Sequence, residues 1–201
     1  MTSLTVPPTR LHRWVENFTA RHGATALAVV AGALTGRAED GSSFTAHLPF
    51  DRPYDDAPEV DLLVAACTPP EQWGVLLVRK GGFAVARLRG GDVVESKVGQ
   101  RHVQGRTKAG GQSQQRFARR RDNQARQAYA AAAGHAVRIL SGTELVVTGG
   151  DRSAISEVLD HPGLAHLRPC SEVLAVADPR RAVLESAIID AMSVRMTVVN
   201  T

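Results

Sequence analysis

Apolar and polar positions alternate most clearly between residues 73 and 98. Trp73 to Arg79 is a nearly continuous apolar run. In Phe83 to Arg89, Phe83, Val85 and Arg87 alternate with Ala84, Ala86 and Leu88, and Asp92 to Val98 forms a third segment. Gly81-Gly82 and Gly90-Gly91 separate the three. Paired glycines supply the positive φ that tight hairpins need, so the pattern predicts a three-stranded antiparallel meander. The period then changes. Phe117, Ala125, Ala128, Ala132 and Ala136 share one helical stripe, which predicts a helix from Ser113 as N-cap to about Ala133, with Gly134 ending it. A strand over Glu144 to Thr148 runs into Gly149-Gly150, followed by a helix over Ser153 to Leu159 and a strand over Ser171 to Val176. Asp178 is expected to cap the last helix with Pro179 at its first position. Val183, Leu184, Ala187, Ile188 and Met192 would form its buried face.

The first 68 residues are less regular. Leu11, Trp14, Val15 and Phe18 give a helical stripe behind Thr9 as cap. Ala26 to Ala31 reads as a buried strand, with Ser43 to Leu48 pairing to it across a turn at Gly36–Ser42. Five prolines and six carboxylates from Pro49 to Glu71 mark a linker around the apolar segment Leu62 to Ala66. The expected organisation is a small N-terminal α/β extension over 1–68 and a second domain over 69–201. The second domain is α/β, a mixed sheet with an antiparallel meander and flanking helices, compatible with a ribonuclease-H-like layout.

Charge changes this picture more than composition does. The 201 residues carry a formal net charge of +4. Nine cations fall between Lys97 and Arg126 against the single carboxylate Asp122, so the rest of the chain is acidic. A solvated helix face would show acidic partners at i±4. Their scarcity points to a polyanion, with Arg106, Lys108, Ser113, Arg116, Arg119, Arg120, Arg121 and Arg126 as the expected contacts. Cys67 and Cys170 have neither zinc nor redox spacing. No apolar run is long enough to cross a membrane, and Ala24 to Leu34 starts too far from Met1 for a signal peptide. These features predict a cytoplasmic, monomeric protein with no membrane partner and no cofactor or metal.

Other constellations are weaker. His161, His166 and Cys170 could share a helix face, but Pro162, Gly163 and Pro169 interrupt it. Glu144, Asp151 and Asp178 could form a nuclease-like carboxylate set, or simply edge and capping residues. Ser141 and Ser153 have no base nearby in sequence, and Trp73 is expected to pack the meander.

Gly110-Gly111-Gln112 stands at the centre of the basic window. Glycines let backbone approach a crowded site without side-chain collision. A glutamine amide cannot act as a base, but it can orient a water, and its N–H can donate to a developing oxyanion. The extended pattern Gly110, Gly111, Gln112, Ser113, Arg116, Phe117, Arg119 resembles the catalytic domain of eukaryotic and archaeal class I release factors. There, too, a meander leads through a basic loop into Gly-Gly-Gln and a long helix. The resemblance covers residues 70–200. It is similar above all to the branch of the ankyrin-repeat, zinc-finger release factor of ribosome quality control and its bacterial peptidyl-tRNA hydrolase relatives. It implies Gly110, Gly111 and Gln112 as catalytic tip, and peptidyl-tRNA and the large ribosomal subunit with its RNA as partners. The chain has no counterpart of the stop-codon-reading domain, the zinc finger or the ankyrin repeats, so release from stalled complexes is expected rather than stop-codon termination. Cleavage of the tRNA 3′ end, or non-catalytic ribosome binding, are the alternatives.

Overall fold

A computed structural model describes residues 1–80, 82–100 and 112–201, with backbone alone for 100 and 112–125. The chain divides into two compact units, Met1–Pro69 together with Ile188–Thr201, and Pro70–Ala187.

The first unit is a five-stranded antiparallel sheet. Its strands are β1 (Thr2–Val6), β2 (Thr25–Val30), β3 (Ala33–Ala38), β4 (Ser43–His47) and β10 (Val194–Val199), in the order β1-β10-β4-β3-β2. Helices α1 (Leu11–His22) and α2 (Val60–Ala66) belong to the same unit. One face of the sheet supplies Leu34, Phe44, Ala46, Val194 and Met196 to a core shared with Leu11, Phe18, Tyr54 and Leu63. A T-shaped pair, Phe18 and Phe44, lies inside it with ring centroids 5.1 Å apart.

Three expectations are corrected here. The 26–31 and 43–48 segments do not pair with each other, because Ala33–Ala38 forms a strand between them. Its sequence ALTGRA is poor in β-formers, and Ala31-Gly32, both at positive φ, make the turn that precedes it. β2 is not buried: as the edge strand it alternates half-buried Leu27 and Val29 with exposed Ala26, Ala28 and Val30. Residues 194–199, grouped by sequence with the second segment, pair with β1 and β4 in the first unit.

The second unit holds β5 (Gln72–Arg79), β6 (Gly82–Arg89), β7 (Asp92–Gln100), β8 (Leu145–Gly150) and β9 (Arg168–Leu174), in the order β7-β6-β5-β8-β9. The expected meander is present as β5, β6 and β7, antiparallel throughout. β8 and β9 extend it in parallel from β5, giving the mixed sheet anticipated from sequence. Helices α3 (Gln112–Ile139) and α4 (Arg152–Leu159) close one face. Leu76, Val78, Phe83, Val85 and Val146 meet Ala132, Ala136, Ile139, Leu140, Ile155 and Val158 there. Because β5 and β6 lie inside the sheet and are covered on both faces, residues 73–78 and 82–86 are all buried.

Helix α3 does not stop at Gly134 but continues through it to Ile139. A helical glycine costs about 1 kcal/mol. The buried stretch around it, Ala132, Ala133, Ala136 and Ile139, offsets this. Helix α5 (Arg181–Ala191) starts after the predicted cap, leaving Asp178 and Pro179 outside it. The backbone carbonyl of Arg180 accepts the first bond, from Leu184 N–H at 2.9 Å.

Candidate RNA-facing site

The segment that carries the motif joins the end of β7 to the start of α3. Gly110, Gly111, Arg106 and Lys108 lie outside the described residues. Gln112 is the first residue of α3, and Ser113, Arg116, Arg119, Arg120 and Arg121 follow within its first three turns. Ser113 is therefore not an N-cap preceding the helix, a difference of the size by which helix ends commonly shift. Arg126 is described and exposed. Ala128 is the first α3 side chain described as buried. At 1.5 Å per residue, Gln112 begins about 24 Å along the axis from it. An α-helix N-terminus carries a partial positive charge from its unpaired N–H groups, so the backbone at Gln112 adds to the charge of the arginines that follow.

The strand and helix on either side of this segment are held on the sheet by contacts that no sequence signal announces. Gly99 pairs with Phe83 across β7 and β6. A Cβ at Gly99 would come within 2.3 Å of the Phe83 ring, so only glycine lets the ring lie flat across the strand. On α3, His135 stacks on Phe83 with centroids 5.4 Å apart. One turn further along α3, Arg138 donates to Glu95 of β7, which also faces Arg87 of β6 at 3.8 Å. Arg181 of α5 donates to Ser96 Oγ at 3.1 Å. The partners of these contacts are separated by 43 residues (Glu95 and Arg138) or 85 residues (Ser96 and Arg181), which is why local pattern misses them. β7 at the start of the segment, and α3 toward its C-terminal end, are thereby tied to the same sheet.

Elsewhere the candidate groups have other partners. Asp151 precedes α4 without capping it through its side chain; its carboxylate instead faces Arg79 at 3.5 Å and the Lys80 N–H at 3.3 Å. Arg79 also donates to the Val176 carbonyl at 2.9 Å, so these residues brace the β5–β6 turn. Glu144 pairs with Arg168 at 2.6 Å. Glu144 and Asp151 flank opposite ends of β8, about 20 Å apart at the rise of a strand, so the nuclease-like set with Asp178 is not assembled. His161 Nδ1 accepts from Gly163 N–H at 3.1 Å and caps a 3-10 turn over Pro162–Leu164. Among the described residues, no three His, Cys, Asp or Glu side chains come together as a metal site. Ser141 and Ser153 are exposed. Trp73 is fully buried, and its indole N–H donates to the Gly90 carbonyl at 2.8 Å, packing the meander. Burial raises the pKa of the Tyr129 phenol, helped by the nearby carboxylates of Asp151 and Glu157, and keeps it neutral. Cys67 is buried in the first unit, where desolvation pushes its thiol to about 11, and it donates to the Leu63 carbonyl. Its thiolate is thus suppressed at neutral pH.

The second unit is a mixed α/β domain whose glycine-rich, basic crossover leads into a long helix. The chain belongs to the Actinobacteria/chloroflexi VLRF1 release factor family, whose model matches residues 71–197. No curated protein matches it. Among solved structures, the chain is similar to the archaeal translation termination factor aRF1, at 15% identity and a TM-score of 0.44, with 94% of this chain covered. It spans 63% of that factor's length. A second structure, of an archaeal protein, aligns at 13% identity and a TM-score of 0.37, covering 94% of this chain and 65% of that one. No helix among the described residues is long and apolar enough to cross a membrane.

Proposed function

We propose that the protein is a peptidyl-tRNA hydrolase that frees nascent peptides from tRNA on stalled large ribosomal subunits. The single observation that carries this reading is the position of Gly110-Gly111-Gln112. It lies inside the segment matched by the release factor family, 71–197, and ends at the N-terminus of α3. The charge distribution supports the same substrate, since nine cations surround the motif between Lys97 and Arg126.

In this reading the two glycines pass between nucleotides without steric conflict. Gln112 orients the attacking water with its side chain and donates its backbone N–H to the oxyanion that develops on the ester carbonyl. Water adds to that carbonyl, the ester bond to the terminal ribose breaks, and the tRNA leaves with its 3′ hydroxyl restored. An amide cannot take the proton, so that role falls to RNA groups such as the neighbouring ribose hydroxyl. Lys108, Arg106, Ser113, Arg116, Arg119, Arg120, Arg121 and Arg126 contact phosphates and set the register of the tip. The protein acts as a monomer in the cytoplasm.

The test is release of labelled peptide from purified large subunits carrying peptidyl-tRNA. Gln112→Ala is expected to lose on the order of 100-fold or more in rate, the scale of a missing oxyanion donor. The tRNA should run at full length on a sizing gel. Equal release by wild type and variant would move the chemistry elsewhere in the chain, and a shortened tRNA would replace ester hydrolysis with strand cleavage.

A further inference from the structure

The first unit sorts its charges by position. Residues 1–38 hold four arginines and one glutamate, whereas residues 39–61 hold seven carboxylates and one arginine. Three of the four arginines sit on or beside α1. Arg10 immediately precedes the helix, and Arg13 and Arg21 lie on it with Asn17 between them. At 100° per residue these four positions fall within about 80° of the helix circumference. The buried side of the helix carries Leu11 and Phe18, flanked by Trp14 and Val15. Arg10, Arg13, Asn17 and Arg21 are all exposed.

Some arginines of this protein form ion pairs, while exposed Arg37, Arg89, Arg152 and Arg180 have no carboxylate within 4.0 Å among the described residues. Arg79, Arg87, Arg138, Arg168 and Arg195 each have a carboxylate within 4.0 Å. Among the described residues, Arg10, Arg13 and Arg21 have none. Glu16, at the flank of the stripe, does not bridge to Arg13 three residues away. The other basic side chain on that flank, His12, is engaged by Asp61 at 3.0 Å. A stripe kept free of acids, in a unit that has acids in excess, fits a partner that brings its own negative charge.

We propose that this stripe on α1 is a second RNA-binding surface, one that grips phosphates rather than bases. Successive guanidinium groups along one helix line suit a phosphodiester backbone, and Asn17 offers an amide between them. The exposed positions of α1 include no Phe, Tyr or Trp to stack on a base and no large apolar side chain to enter a lipid surface. RNA is therefore favoured over an anionic membrane, and the contact is expected to be indifferent to sequence. This surface does not depend on the release reading, since none of its residues belongs to the Gly-Gly-Gln segment.

The experiment measures binding of the full-length chain to a labelled 30-nucleotide single-stranded RNA across a salt series. Three phosphate contacts at about 0.7 counterions each predict that R10Q/R13Q/R21Q lowers the slope of log K against log salt by about 2. Arg37→Gln serves as control: Arg37 is an exposed arginine on β3, off the stripe, and its removal should leave the slope unchanged. A circular-dichroism melt of each variant establishes that the unit is folded. A triple variant with the wild-type slope overturns the proposal. So does an equal loss from Arg37→Gln, or stripe-dependent binding to polyglutamate or to phosphatidylserine vesicles that matches the RNA. Peptide release can fail in its own assay while this slope change persists, so the two readings are judged separately.

Discussion

β2 and β5 look alike as sequence and end in opposite surroundings. One reads TALAVV and the other WGVLLV at its centre, and both are runs without charge. β5 is the middle strand of its sheet, covered on both faces, and Trp73 to Val78 are all buried. β2 is an edge strand, and alternate residues face solvent. An apolar run therefore reports strand formation, while the place of the strand in the sheet decides how much of it leaves water.

That contrast can be broken by mutation. Leu76→Ala empties a fully buried site in β5 and should cost about 2–5 kcal/mol. Val29→Ala, half-buried on the edge strand, should cost about 1 kcal/mol or less. Urea unfolding midpoints compare the two, and similar losses would show that β2 is as enclosed as β5.

Next in size is the close approach at Gly99. A methyl group there collides with the Phe83 ring and should destabilise by about 1–3 kcal/mol. The loss should shrink in a Phe83→Leu background, a coupling read from a double-mutant cycle. The first sheet repeats the device: Gly36 pairs with Phe44, whose ring would lie 2.2 Å from an added Cβ.

Glu95→Gln should be milder, about 1 kcal/mol, because its partners Arg138 and Arg87 keep partial access to solvent. Its midpoint should also become less sensitive to salt.

The smallest effect is electrostatic. His47 is half-buried beside Arg195, its cross-strand partner. Burial first, and the neighbouring guanidinium second, hold its pKa below the usual value. The folded chain then binds this proton less readily than the unfolded one. Stability should decline as pH falls below the ordinary imidazole value of about 6.5. His47→Gln should flatten that decline between pH 7 and 5, and an unchanged pH profile would place its cause elsewhere.

Much of the fold was legible for reasons these comparisons make plain. The meander announces itself because glycine pairs mark both turns and the strands between them are long. β3 escaped notice because Ala33–Ala38 has little β-propensity and pairs only through its neighbours. Helix α3 overran Gly134 because its alanines pack on the sheet regardless of one costly residue. β10 carries a readable alternation of Val194, Met196 and Val198 with Arg195, Thr197 and Val199. Nothing in that pattern names partners some 150 residues earlier. For the candidate site the opposite holds. The motif and its charge are entirely a matter of local sequence, while the contacts that hold β7 and α3 on the sheet, Phe83 with Gly99 and Glu95 with Arg138, join positions that local sequence cannot connect.

The placement of β10 between β1 and β4 has a consequence for how the protein is made. The N-terminal sheet lacks an interior strand until residues 194–199 have been synthesised. Synthesis runs from the N-terminus, so residues 70–187 can close their own sheet first, while β1 waits for β10, its partner among the described residues. A premature stop just before Val194 would thus damage the beginning of the protein more than its middle.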